Sequence, residues 1–268
     1  MIRVLHSLSF VDDPTRILRA ARFELRLGFT IEPRTAELID TALPMLRRIT
    51  GRRILNEMDL LLREIGPERA LLSLSGRGAL EAIHPDFQVG PEIAERFEAA
   101  RSIQPSWAQQ KMDADSLYWH AMMIDIPVSQ LPGLLERLMI GRQRSTALIE
   151  AARLAQDPGE VDASEARPSQ VVRRLQQVSD SALYAVWLYT VSPRIREHIT
   201  TYMETWQHIQ TATTGHTLRD MGILPGPHYS TILWRLRAGR LDGDIADDTA
   251  ESAVLPSIID QEHRSDSP

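Results

Sequence analysis

The stretch "GRRILNEMDLLLREIG", residues 51–66, places Ile54, Met58, Leu61, Leu62 and Ile65 on one face of a helix, between two glycines. The same spacing recurs along most of the 268 residues, and no alternating strand of useful length competes with it. The pattern predicts an all-α fold, a multi-helical array. Helices are expected over 13–28 and 33–46, with Asp13 before Pro14 opening the first, Gly28 ending it, and Thr35 or the Glu32-Pro33 turn capping the second. Others are expected near 92–101, 112–124, 129–140, 142–155, 168–177, 179–190, 192–212 and 227–239. "SGRGALEAIHPDF" reads as a turn, a short helix and a stop at Pro85.

Cysteine is absent, which excludes disulfides and thiolate metal sites. No apolar run approaches the roughly 20 residues that span a bilayer, and the N-terminus does not read as a signal peptide, so a cytoplasmic protein without a membrane partner is expected. Charge is unevenly placed. Residues 242–268 carry eight acids and one arginine, whereas residues 1–63 carry eleven arginines and eight acids. A mildly basic front is compatible with RNA.

On a wheel of about 100° per residue, Ile17, Leu18, Ala21 and Leu25 form a core face of the first long helix. Arg19, Arg22 and Arg26 share a basic stripe, open between a solvated face and a surface for a polar ligand. Arg16 lies apart, beside Ala20, Phe23 and Leu27, in a position expected to be partly covered. Asp13, three residues earlier, could be an N-cap. A carboxylate acceptor beside a guanidinium fork also matches the donor and acceptor pattern of a nucleobase edge.

"RVLHSLSFVDDPTRILRAARFELRLGF" resembles the neck of bacterial class II tRNA nucleotidyltransferases and poly(A) polymerases, with Asp12-Asp13 as the acidic pair and Arg16 as the arginine that follows it. Asp12 departs from the usual glutamate. The resemblance implies that Asp13 and Arg16 select the base of CTP or ATP, with Arg19 helping to bind the nucleotide. "GRRILNEMDLLL" resembles the next neck helix, so that Arg53 and Glu57 would brace the template, with Asp12 and Arg22 as further neck support; Arg53 and Glu57 could equally form a plain i,i+4 pair. "TGHTLRDMGILPGPHYSTILWRLRAGRLDGDI" resembles the C-terminal element of bacterial members. There Gly226 and His228 flank the start of a helix that could meet an RNA phosphate, or simply turn a tight corner.

The implied organisation is a neck over 1–66, a helical body over 67–155, a linker over 156–168, a helical tail over 169–255 and a disordered end over 256–268. The family's chemistry uses two metals held by an Asp-x-Asp after a Gly-Ser turn in a head domain. Neither Asp113/Asp115 nor Asp242/Asp244 follows such a turn, so no catalytic residue, metal site or cofactor is expected in this chain. Mg²⁺ and ATP or CTP would belong to a head domain, and the chain alone would be inactive. The expected partners are that head and tRNA or other RNA. A stand-alone, non-catalytic helical RNA-binding module is the alternative. The residues do not separate CCA addition, A addition and poly(A) synthesis. The five tryptophans read as core anchors rather than base-stacking platforms.

Overall fold

A computed structural model describes residues 1–265, with side chains through 262. The helical spacing becomes sixteen α-helices among the described residues. The first ten are α1 (Ser9–Asp12), α2 (Thr15–Leu27), α3 (Pro33–Ala42), α4 (Gly51–Leu62), α5 (Glu68–Gly76), α6 (Ala79–Ile83), α7 (Ile93–Ser102), α8 (Ala114–Met123), α9 (Leu131–Arg137) and α10 (Arg142–Gln156). The rest are α11 (Pro168–Leu175), α12 (Asp180–Tyr189), α13 (Pro193–Glu204), α14 (Gly215–Asp220), α15 (His228–Asp242) and α16 (Asp248–Ser265). The described residues contain no strand, and the one isolated bridge joins Ile2 to Ile31. The all-α expectation holds.

The chain divides into two compact units: residues 1–158 with 178–191, and residues 159–177 with 192 onward. In the first, α4 buries Ile54, Met58, Leu61 and Leu62 as its spacing predicts. Ile65 does not follow them. The helix ends at Leu62, and Ile65 is 96% exposed beyond its last turn. Gly51 opens α4 against the end of α9, where a Cβ would sit 2.0 Å from the Arg137 carbonyl oxygen. Helix α12 packs on α8 and α10 within this unit. It buries Ala182, Leu183, Ala185 and Val186, which lie all round the helix rather than along one stripe.

The second unit is organised around Leu218, Ile232, Leu236, Ile245, Leu255 and Ile259. The last two correct the expectation of disorder after residue 255. Leu255, Ile258 and Ile259 stand at helical spacing, and α16 continues through Pro256 to Ser265. Residues 266–268 of that expected segment lie outside the described residues. The expected linker is also more structured than its composition suggested. Val161 is fully buried in a 3-10 turn, and Asp162 accepts a 2.5 Å hydrogen bond from the Ser192 hydroxyl. The helix expected over 192–212 stops at Glu204 and gives way to a short 3-10 turn.

Candidate nucleic-acid interface

Asp13 sits between α1 and α2 and caps the latter. Its Oδ1 accepts from the Thr15 amide at 3.2 Å and the Thr15 hydroxyl at 2.6 Å. Arg53, from α4, donates to the same oxygen at 2.8 Å and to the Thr15 hydroxyl at 3.4 Å. Asp13 Oδ2 has only Arg16 Nε near it, at 4.0 Å. Burial pushes the Asp13 carboxyl upward, but the Thr15 hydroxyl and amide together with Arg53 outweigh it and hold the group below its usual range. Asp13 is thus an ionised acceptor with one oxygen committed to the scaffold and the other facing Arg16.

The arginines of α2 divide differently from the wheel. Arg16 was expected to be partly covered, yet its side chain is 50% exposed. The strip beside it stays open, with Leu27 53% exposed. The covered member is Arg22, at 11%. Its guanidinium lies 3.6 Å from Glu57 and 3.5 Å from Glu64, and 5.0 Å from the Phe23 ring centroid. Arg19 and Arg26 remain solvent-facing, each 4.0 Å from one of the same two carboxylates. Two atoms of this network, Arg22 Nε and Glu57 Oε2, are buried without a hydrogen-bond partner.

Arg53 and Glu57 do not pair with each other. One turn apart on α4, they reach to α2, Arg53 to Asp13 and Glu57 to Arg22 and Arg19. Glu64 was missed by the sequence reading, because its partners lie about forty residues earlier and no local spacing reveals them. Asp12 is exposed and makes no ion pair among the described residues.

In the second unit, Gly226 and Pro227 turn the chain into α15, whose N-terminus has no side-chain cap. The His228 ring folds back over the turn, with Nε2 2.9 Å from the Leu224 carbonyl oxygen. A Cβ at Gly226 would lie 2.7 Å from that ring, so the fold-back requires glycine. Tyr229 donates to the Ile223 carbonyl at 2.7 Å and closes the corner. Leu224, at its tip, is 81% exposed.

The residues present do not fit a catalytic magnesium site. Asp242 is occupied by the Ser169 amide at 2.8 Å, the Ser169 hydroxyl at 2.7 Å and Arg167 at 3.1 Å, and so caps α11. Asp115 pairs with Arg63 at 3.6 Å. No group of three His, Asp or Glu side chains converges as a metal site among the described residues. Of the tryptophans, Trp119 is fully buried and donates to Asp59 at 2.9 Å, while Trp107, Trp187, Trp206 and Trp234 are half-buried. No helix among the described residues is long and apolar enough to cross a membrane.

Residues 28–89 match a family model described as "Probable RNA and SrmB- binding site of polymerase A". The chain is 35% identical to an A-adding tRNA nucleotidyltransferase of Geobacter sulfurreducens, over 97% of its own length and 31% of that relative. It is 24% identical to an A-adding tRNA nucleotidyltransferase of Halalkalibacterium halodurans, covering 91% of itself and 56% of the relative. The chain therefore spans roughly a third to a half of these relatives. Among solved structures, the Thermotoga maritima CCA-adding enzyme in complex with tRNA aligns with a TM-score of 0.70 at 26% identity, over 96% of this chain and 64% of that one. A CCA-adding enzyme in complex with ATP aligns with a TM-score of 0.71 at 26% identity, over 96% and 63%.

Proposed function

For a chain homologous along nearly its whole length to A-adding and CCA-adding tRNA nucleotidyltransferases, we propose the role of RNA-binding and nucleotide-reading portion of such an enzyme. It would work with a nucleotidyltransferase head that supplies Mg²⁺ and the triphosphate chemistry, adding AMP or CMP to the 3′ end of tRNA. The observation that carries this reading is the division of labour at Asp13. Thr15 and Arg53 hold Oδ1, which leaves Oδ2 and the exposed Arg16 guanidinium as an adjacent acceptor and donor. An acceptor beside a donor fork is what the edge of a cytosine or adenine requires. Arg19 stands one turn further along the same helix, 44% exposed, where it can neutralise a phosphate.

The experiment has two parts. Joined to a catalytic head, the Arg16→Ala variant should lose discrimination between ATP and CTP while keeping its fold; unchanged selection removes the base-reading role. The chain itself should bind tRNA with an affinity that falls linearly in logarithmic salt, with a slope of about −0.9 for each phosphate neutralised. Absence of binding at low salt would overturn the RNA-binding role.

A further inference from the structure

The first unit contains a cavity of about 830 Å³ that the tRNA reading does not use, a size suited to a small ligand. Three helix starts surround it. Asp113 at the start of α8, Arg142 at the start of α10, and Ser179 and Ser181 at the start of α12 all line it. None of the three helices has a side-chain cap hydrogen bond, so their first-turn amides are left for solvent or an anion. Two ion pairs in the wall are self-contained, Arg63 with Asp115 at 3.6 Å and Arg144 with Asp59 at 3.3 Å. Arg142 and Asp113 make no ion pair among the described residues.

His120 supplies a second, independent observation. The residue is 2% exposed and lines the cavity. Its Nδ1 lies 3.0 Å from the Ser116 carbonyl oxygen, which makes Nδ1 the protonated nitrogen. Nε2 is then a lone-pair acceptor, buried without a partner. Burial lowers the affinity of the ring for a second proton, so the acceptor persists at neutral pH. A phosphate alone cannot satisfy it. The complementary ligand carries an anion for Arg142 and the helix starts, and hydroxyl or amine donors for His120 Nε2 and Asp113. We infer that this cavity binds a nucleoside monophosphate, either free or as one nucleotide of a bound RNA, through Arg142, the N-termini of α10 and α12, and the His120 ring.

The test uses the full chain. Equilibrium dialysis with labelled AMP should show binding that survives Arg16→Ala and weakens by at least about tenfold in Arg142→Ala, the loss of one charge-assisted contact. Arg153→Ala, further along α10 and exposed, should match the parent. AMP should also move the His120 ring-nitrogen resonance, whereas inorganic phosphate should leave it in place. Arg142→Ala is a surface change, so a folding failure of a His120 variant cannot obscure the result. tRNA affinity that also drops in Arg142→Ala assigns the site to an RNA nucleotide, and unchanged tRNA affinity assigns it to a free one. No AMP binding at millimolar concentration, equal losses in Arg142→Ala and Arg153→Ala, or loss in Arg16→Ala alone would each overturn the inference. The last outcome would leave the neck as the nucleotide site, and failure of tRNA binding would leave this inference standing.

Discussion

Arg53 Nη2 lies 2.8 Å from Asp13 Oδ1, across forty residues of chain, while Arg16, three residues from Asp13, comes no closer than 4.0 Å. The acid is therefore positioned by α4 rather than by its own helix. Arg53 cannot be replaced without freeing Asp13 to turn toward Arg16, and that closure would consume the acceptor and the donor together.

Arg53→Met should accordingly damage nucleotide selection more than stability. The Arg53 side chain is 52% exposed, so losing the pair should cost only about 0.2–1 kcal/mol in urea unfolding. In a head-containing protein the same change should blur the choice between ATP and CTP as Asp13→Ala does, and the double variant should be no worse than either single one. Additive losses would mean that the two residues act separately.

Glu57 presents the opposite balance. Its partner Arg22 is nearly buried and shares only Glu64 besides. Glu57→Ala leaves a covered guanidinium half-compensated and should destabilise the first unit by about 2–3 kcal/mol. Arg19→Ala, which removes an exposed contact to the same carboxylate, should cost less than about 0.5 kcal/mol. Denaturant melts of the two variants separate the buried link from the solvated one.

In the second unit, Glu251 is buried and accepts from the Thr213 amide at 2.7 Å, the Ala212 amide at 3.3 Å and Arg240 Nε at 2.6 Å. Burial raises its proton affinity, but these donors more than reverse that and hold the carboxyl below its ordinary value. A depressed carboxylate stabilises the fold fully above its unfolded pKa, and that contribution fades as pH falls through the folded one. Glu251→Gln should lower stability at neutral pH by about 3 kcal/mol. It should also flatten the acid limb of the stability profile below about pH 4.5. An unchanged acid limb would assign that loss of stability to other carboxylates.

Periodicity exposed most of the helices because burial of one apolar stripe is a local property of the chain. Gly28, expected as a helix stop, adopts a φ of 62° at the C-cap of α2. What the sequence hid was partnership. The wheel grouped Arg19, Arg22 and Arg26 as equals, yet Glu57 and Glu64 cover Arg22 and leave the others in solvent. The acidic C-terminal composition masked Leu255 and Ile259, which need Leu218 and Ile232 from earlier helices to become core. The cavity beside His120 was invisible for the same reason, since its walls come from helix starts separated by tens of residues.

Two glycine substitutions test the packing with opposite signs. A Cβ at Gly51 would lie 2.0 Å from the Arg137 carbonyl oxygen and 2.9 Å from the Leu138 carbonyl carbon. Backbone cannot step aside as a flexible side chain can, so Gly51→Ala must push α4 away from the end of α9. That shift should cost about 3 kcal/mol or more and carry Arg53 with it, because Arg53 stands two residues into the same helix. Gly76, at the end of α5, has open space where a Cβ would stand and does not need the left-handed region. Gly76→Ala should therefore stabilise the first unit by about 0.4–1 kcal/mol, through a less flexible unfolded chain and a better helix former. Thermal melts of both variants decide the matter. A Gly51→Ala protein as stable as the parent would show that α4 and α9 do not touch there, and it would remove the support that holds Arg53 against Asp13.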